Sequence, residues 1–135
     1  MKSARVDTWA ASIPDRIGAL AAKLKALSAG GVNLEFVIAR RSGDKSVVFV
    51  TPIKGTKQVR AASTAGFTKT SSLHSLRIEG PNKPGQCARI LTALADKGLN
   101  LRGVSVAAIG TKFICHVALD TEADAVRAAN IVRVL

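Results

Sequence analysis

Tyrosine is absent from this chain, and one tryptophan and four phenylalanines are its only aromatic residues in 135 positions. A surface that reads single-stranded nucleic acid stacks bases on exposed rings, and Trp9, Phe36, Phe49, Phe67 and Phe113 are too scattered to build one. Cys87, Cys115, His74 and His116 stand apart, without CxxC, HxxxH or HExxH spacing, so the convergent ligands a metal needs are not written here. No metal or other cofactor is expected, and both cysteines read as small buried apolar residues. No run approaches the roughly 18 apolar residues of a membrane helix. The start, "MKSARVDTWAAS", also lacks the apolar region of a secretion signal, so a cytoplasmic protein without membrane contact is expected.

Catalytic patterns are missing as well. There is no G-x-S-x-G elbow and no P-loop, and Thr8, Ser12 and the two cysteines have no evident activating base. The expectation is that the protein is not an enzyme. Acidic residues are scarce: nine Asp and Glu face twenty Lys and Arg, for a net charge of +11. Residues 1–70 carry twelve basic and four acidic side chains, and residues 71–135 carry eight and five. Such a field attracts anions of many kinds and names none of them.

What the chain does have is a repeat. "PDRIGALAAKLKALSAGGVNL" at 14–34 and "PNKPGQCARILTALADKGLNL" at 81–101 are offset by 67 residues. Extending that register to residues 14–62 against 81–129 gives 17 identities over 49 ungapped positions, closing on "VRAA" in both. The chain is two copies of one unit, with expected domains at 1–70 and 71–135.

Each copy reads as strand, helix, strand, strand, helix, strand. The first strands are expected in "RVDTWAA" at 5–11 and "LHSLRIE" at 73–79. Ile17, Leu20, Ala21, Leu24 and Leu27 form one stripe at helical spacing, and Cys87, Ile90, Leu91 and Leu94 form another. Gly31 and Gly98 suit the left-handed residue that ends a helix. "VNLEFVIA" and "SVVFVTP" then make one hairpin, "LNLRGVSVAA" and "FICHVALD" the other. Second helices follow around "GTKQVRAAS" and "TEADAVRAAN", the latter capped by Asp120 or Thr121. "FTKT" and "IVRVL" are the expected closing strands. The fold class is α+β: two tandem ferredoxin-like βαββαβ units, antiparallel sheets with helices on one face. A unit this small buries only roughly 60% of its unfolded surface, so pairing is expected.

At "NKPGQCARILTALADKGLNL" the sequence resembles the ACT domain, a small regulatory module that binds amino acids in many metabolic enzymes. The first copy carries the same pattern, with Ile17 where the family usually has proline. Both copies together span essentially the whole chain. The resemblance therefore implies a stand-alone tandem ACT protein, a homodimer or higher oligomer. It also implies an amino acid or similar carboxylate metabolite bound between ACT-like units, and a separate enzyme or regulator as partner.

The chemistry of such a site is legible in the residues. A zwitterion presents a carboxylate that wants N–H donors and an ammonium that wants oxygen acceptors. Unpaired N–H groups and the positive dipole end of a helix start offer the donors. Gly85 or Gly18 lets a ligand approach the backbone, and Pro84 costs no hydrogen bond there. A side-chain amide serves the ammonium. The resemblance implies such amides at Asn82 and Asn100 in the second copy, where the first has Asp15 and Asn33. Lys83, Gln86 and Leu99 are expected beside the second site, with Arg102 and Gly103 shaping its pocket; Arg16 and Ile17 are expected beside the first.

Other readings stand beside this one. Pro81, Pro84 and Gly85 could simply turn the chain into a helix, and Asn33 and Asn100 could bond only their local backbone. A basic nucleic-acid module shares the topology, although neither RNP-like aromatics nor a dense basic cluster supports it. A protein-interaction partner that binds no ligand is the remaining alternative.

Overall fold

A computed structural model describes residues 1–135, the side chain of Ser42 excepted. In chain order the elements are β1 (Lys2–Val6), β2 (Trp9–Ile13), α1 (Ala19–Ala29), β3 (Phe36–Ser42), β4 (Lys45–Thr51) and α2 (Gly55–Thr64). There follow β5 (Thr68–Lys69), β6 (His74–Pro81), α3 (Gln86–Asp96), β7 (Leu101–Ile109), β8 (Lys112–Leu119) and α4 (Glu122–Arg133). They form two units, one of residues 7–70 and one of residues 1–6 with 71–135.

In the unit of residues 7–70 the antiparallel sheet runs β3-β4-β2-β5. Trp9, Ala11, Val48 and Val50 point to one side of it, where Leu27 of α1, Ala62 of α2 and Phe67 complete a buried core. Gly30 and Gly31 stop α1. Gly31 sits at φ 84°, and the Val32 N–H donates to the Leu27 carbonyl. At Gly30 the two helices cross with no room to spare, since a Cβ built there would collide with the Ala61 Cβ. Gly30 has ordinary φ, so Gly30→Ala is an overpacking change and nothing else. It is expected to cost about 1–3 kcal/mol, read as a lower urea midpoint, with Ala61→Gly in the same chain recovering part of the loss.

In the other unit the sheet order is β1-β6-β8-β7. Leu76, Ile78, Phe113, Cys115, Val117 and Leu119 face Ile90 and Leu94 of α3 and Ala125, Ala128 and Val132 of α4. Two expectations are corrected here. "IVRVL" is not a closing strand: α4 runs through Ile131 and Val132 to Arg133. The burial of Ala125, Ala128 and Val132 at helical spacing overrides the β-branched composition of the segment. The closing place is filled from the other end of the chain. β1 lies antiparallel on β6, with Lys2 opposite Glu79 and Val6 opposite Ser75. "RVDTWAA" is accordingly two strands in two sheets, parted at Asp7 and Thr8, and residues 1–6 belong with 71–135 and not with the first copy.

Candidate functional site

The two helix starts share one construction. Gly18 at φ 84° and Gly85 at φ 79° hold the left-handed conformation just before α1 and α3, which only glycine adopts without strain. Neither helix has a side-chain cap, and neither has an acidic residue in its first turn. Positive dipole and donor capacity are therefore left for an external acceptor. A Cβ at either glycine would meet nothing within 4 Å, so each glycine borders open space.

In the second copy the loop is braced from both sides. The Asn82 backbone N–H donates to the Thr111 carbonyl at 2.8 Å, and its side-chain Nδ2 to the Gly110 carbonyl at 3.2 Å. With Nδ2 engaged, the amide oxygen is the atom Asn82 can offer to an ammonium. Gln86 is buried, and its Nε2 donates to the Pro81 carbonyl at 2.9 Å, which holds the loop closed from beneath. Lys83 and Pro84 are exposed, while Leu99 is part of the core. In the first copy Asp15 pairs with Arg41 at 3.0 Å, and Arg16 is exposed. Ile17 is fully exposed at 104% of its reference surface, an apolar side chain standing free in the loop.

The structure does not bring the paired amides of one copy together. Pro81 lies opposite Lys112 and Ile109 opposite Lys112, so Asn82 sits where β7 ends. Leu101 lies opposite Leu119, so Asn100 sits where β7 begins. About 25 Å of strand separates the two ends. Asp15 and Asn33 are parted in the same way, because α1, like α3, carries the chain from one end of its sheet to the other. Arg102 and Gly103 accompany Asn100 at the far end, beside an irregularity in the β7 to β8 register.

At the Asn82 end lies a cleft of about 320 Å³, lined by Glu79, Gly80, Pro81, Thr111, Lys112, Phe113 and Ile114. That is the lower end of the range for small-molecule sites. The sequence reading did not name these walls, and neither Asn82 nor Gly85 is among them. The one available signal was that the turn "IGTK" recurs where the first copy has "RSGDK", which places a second loop beside the first.

No catalytic arrangement competes with this reading at Cys115. Its thiol lies wholly buried, and burial, assisted by nearby Cys87, pushes its pKa from 9.0 up to about 12, so it stays protonated and is no nucleophile. A neutral thiol favoured by the folded state contributes stability below its unfolded pKa and loses it as pH rises through the folded one. Between pH 9 and 12 the urea midpoint is therefore expected to fall more for the native chain than for Cys115→Ala. Among the described residues no three His, Cys, Asp or Glu side chains gather as a metal site would require. No helix is long and apolar enough to cross a membrane.

Two four-stranded antiparallel sheets, each with two helices packed on it, define the ferredoxin-like α+β class. The family model of the ACT domain matches residues 74–131, which lie in the second copy. Solved structures carry the likeness across both copies. A protein of Bacteroides thetaiotaomicron superposes with a TM-score of 0.81 at 15% identity, over 95% of this chain and 88% of that one. The ligand-free regulatory subunit of aspartate kinase from Thermus thermophilus gives 0.70 at 17% identity, over 98% and 96%. An aspartokinase of alpha and beta subunits gives 0.64 at 18%, over 98% and 95%. At these identities the likeness shows the fold. No curated protein matches the sequence.

Proposed function

We propose that the protein is a regulatory module that senses an amino acid or similar small carboxylate metabolite, with the site of the second copy completed by a second chain. The observation that carries this is the uncapped start of α3 at Gly85, which borders open space, beside an Asn82 fixed with its amide oxygen available. The ACT domain match over residues 74–131 supports the sensing role, and so does likeness to a protein described as the regulatory subunit of aspartate kinase.

The need for a second chain follows from where the amides lie. β7 is an edge strand, and from Gly103 to Ile109 it carries no charge and no proline, the usual guards of an exposed edge. The edge strand of the first copy, β3, has Arg40 and Arg41. If β7 pairs antiparallel with its own counterpart about Ser105, Asn100 of the second chain falls opposite Gly110, the residue already bonded to Asn82. One copy then supplies the helix start and the other the second amide, and the net charge of +11 helps hold a carboxylate. The function is regulatory and not catalytic, and the homodimer acts in the cytoplasm on a separate enzyme or regulator.

Thermal unfolding across a panel of the twenty amino acids at millimolar concentration tests this. Ligand at a hundred times its Kd stabilises by about 2.7 kcal/mol, on the order of 10 °C for a unit of this size. No rise with any amino acid would refute the sensing role.

A further inference from the structure

We infer that the outer face of α1 and α2 is a docking surface for an acidic helical segment of another protein. The duplication supplies the comparison that shows it. In the second copy Arg127 bonds Asp124 one turn away on α4 at 3.3 Å and donates to the Lys97 carbonyl at 2.7 Å. At the equivalent positions on α2 stand Arg60 and Lys57, two cations one turn apart where the sister unit has an ion pair. Like charges at this spacing oppose helix formation, and a cation in the first turn also opposes the dipole. The sister helix α4 opens instead on a Thr121 cap with Glu122 and Asp124 in its first turn.

The same contrast holds on the neighbouring helix. Arg89 and Asp96 of α3 correspond to Ala22 and Ala29 of α1, and Thr92 corresponds to Lys25. All three α1 residues are exposed on one stripe. Neither α1 nor α2 contains a single Asp or Glu, and the unit of residues 7–70 has ten basic against four acidic side chains. Lys25, Lys57 and Arg60 are exposed and take part in none of the ion pairs among the described residues.

Charge selects the occupant. A carboxylate-bearing partner would relieve the Lys57 and Arg60 repulsion, and low alanine relief lets a helix lie close. A second copy of this chain would bring the same cations to the same face. Its own carboxylates at the equivalent place are already taken, Glu122 by Arg5 and His74 and Asp124 by Arg127. A nucleic-acid backbone asks for a denser row of cations than Lys25, Lys57 and Arg60 supply. The inference is independent of ligand sensing.

The test is fluorescence anisotropy with a labelled helical peptide of leucine and glutamate at heptad spacing. Wild type is expected to bind it, and Lys57→Glu with Arg60→Glu to bind about tenfold more weakly, while gaining affinity for the same peptide with lysine in place of glutamate. Lys57→Glu restores an acid to the first turn of α2, so the variant keeps its helix. Its thermal response to amino acids is expected to match wild type, which separates this surface from the sensing site. The inference is overturned if the acidic peptide does not bind, if it binds wild type and variant alike, or if mixed-sequence duplex DNA or phosphatidylserine vesicles bind wild type more tightly.

Discussion

A fragment of residues 71–135 is expected not to unfold cooperatively on its own, whereas the same fragment with residues 1–6 rejoined behind Leu135 through a short glycine linker is expected to fold. Without β1, the β6 strand becomes a bare edge and loses its ladder from Ser75 to Glu79. About five net hydrogen bonds at ~1 kcal/mol each are then missing from a unit whose whole stability is roughly 4–10 kcal/mol. The Met1 side chain also leaves its place over Gly80, where an added Cβ would meet its sulfur at 2.7 Å. The rejoined fragment is geometrically simple. The Met1 nitrogen donates to the Val132 carbonyl at 2.7 Å, so the start of β1 lies beside the end of α4. Urea unfolding followed by circular dichroism decides the matter. Equal midpoints for the two fragments would mean that the strand exchange contributes nothing to stability.

Why this exchange was invisible in the sequence has a definite cause. In the repeat register Lys2 falls on Lys69 and no further identity follows until Pro14, so one match was all that tied the crossing segment to a sister strand. "RVDTWAA" is apolar enough for one strand, and nothing local shows that Arg5 and Ala11 belong to different sheets. "IVRVL" failed for the opposite reason: β-branched residues suggest a strand, while the contacts that keep it helical come from β1, β6 and α3, far away in sequence. The helix starts were legible because proline and glycine mark both within five residues, with Asp15 in the first and the amide of Asn82 in the second. The separation of Asn82 from Asn100 was not, since it depends on which end of the sheet each loop reaches. The pairing state of Lys57 and Arg60 needed the sister helix in three dimensions, although their signs are plain in the sequence.

Asn82→Ala and Asn100→Ala are each expected to abolish the amino-acid response, and an equal mixture of the two chains, refolded together, to recover about a quarter of the wild-type sites. The expectation follows from the separation of the two amides within one chain. If each site joins Asn82 of one chain to Asn100 of another, a dimer of identical variants has no intact site. A mixed dimer has one intact site and one doubly damaged one, and half of randomly assorted dimers are mixed. Both side chains are exposed, so neither change removes core contacts, and the melting temperature without ligand is expected to stay near wild type. Titration calorimetry reads the number of sites directly. Recovery of none would show that the site lies within a single chain. A variant that binds with unchanged affinity by itself would remove that asparagine from the site altogether. An intermediate count at the expected quarter can arise only from sites shared between chains, which neither the loop at Gly85 nor the strand at Asn100 could provide alone.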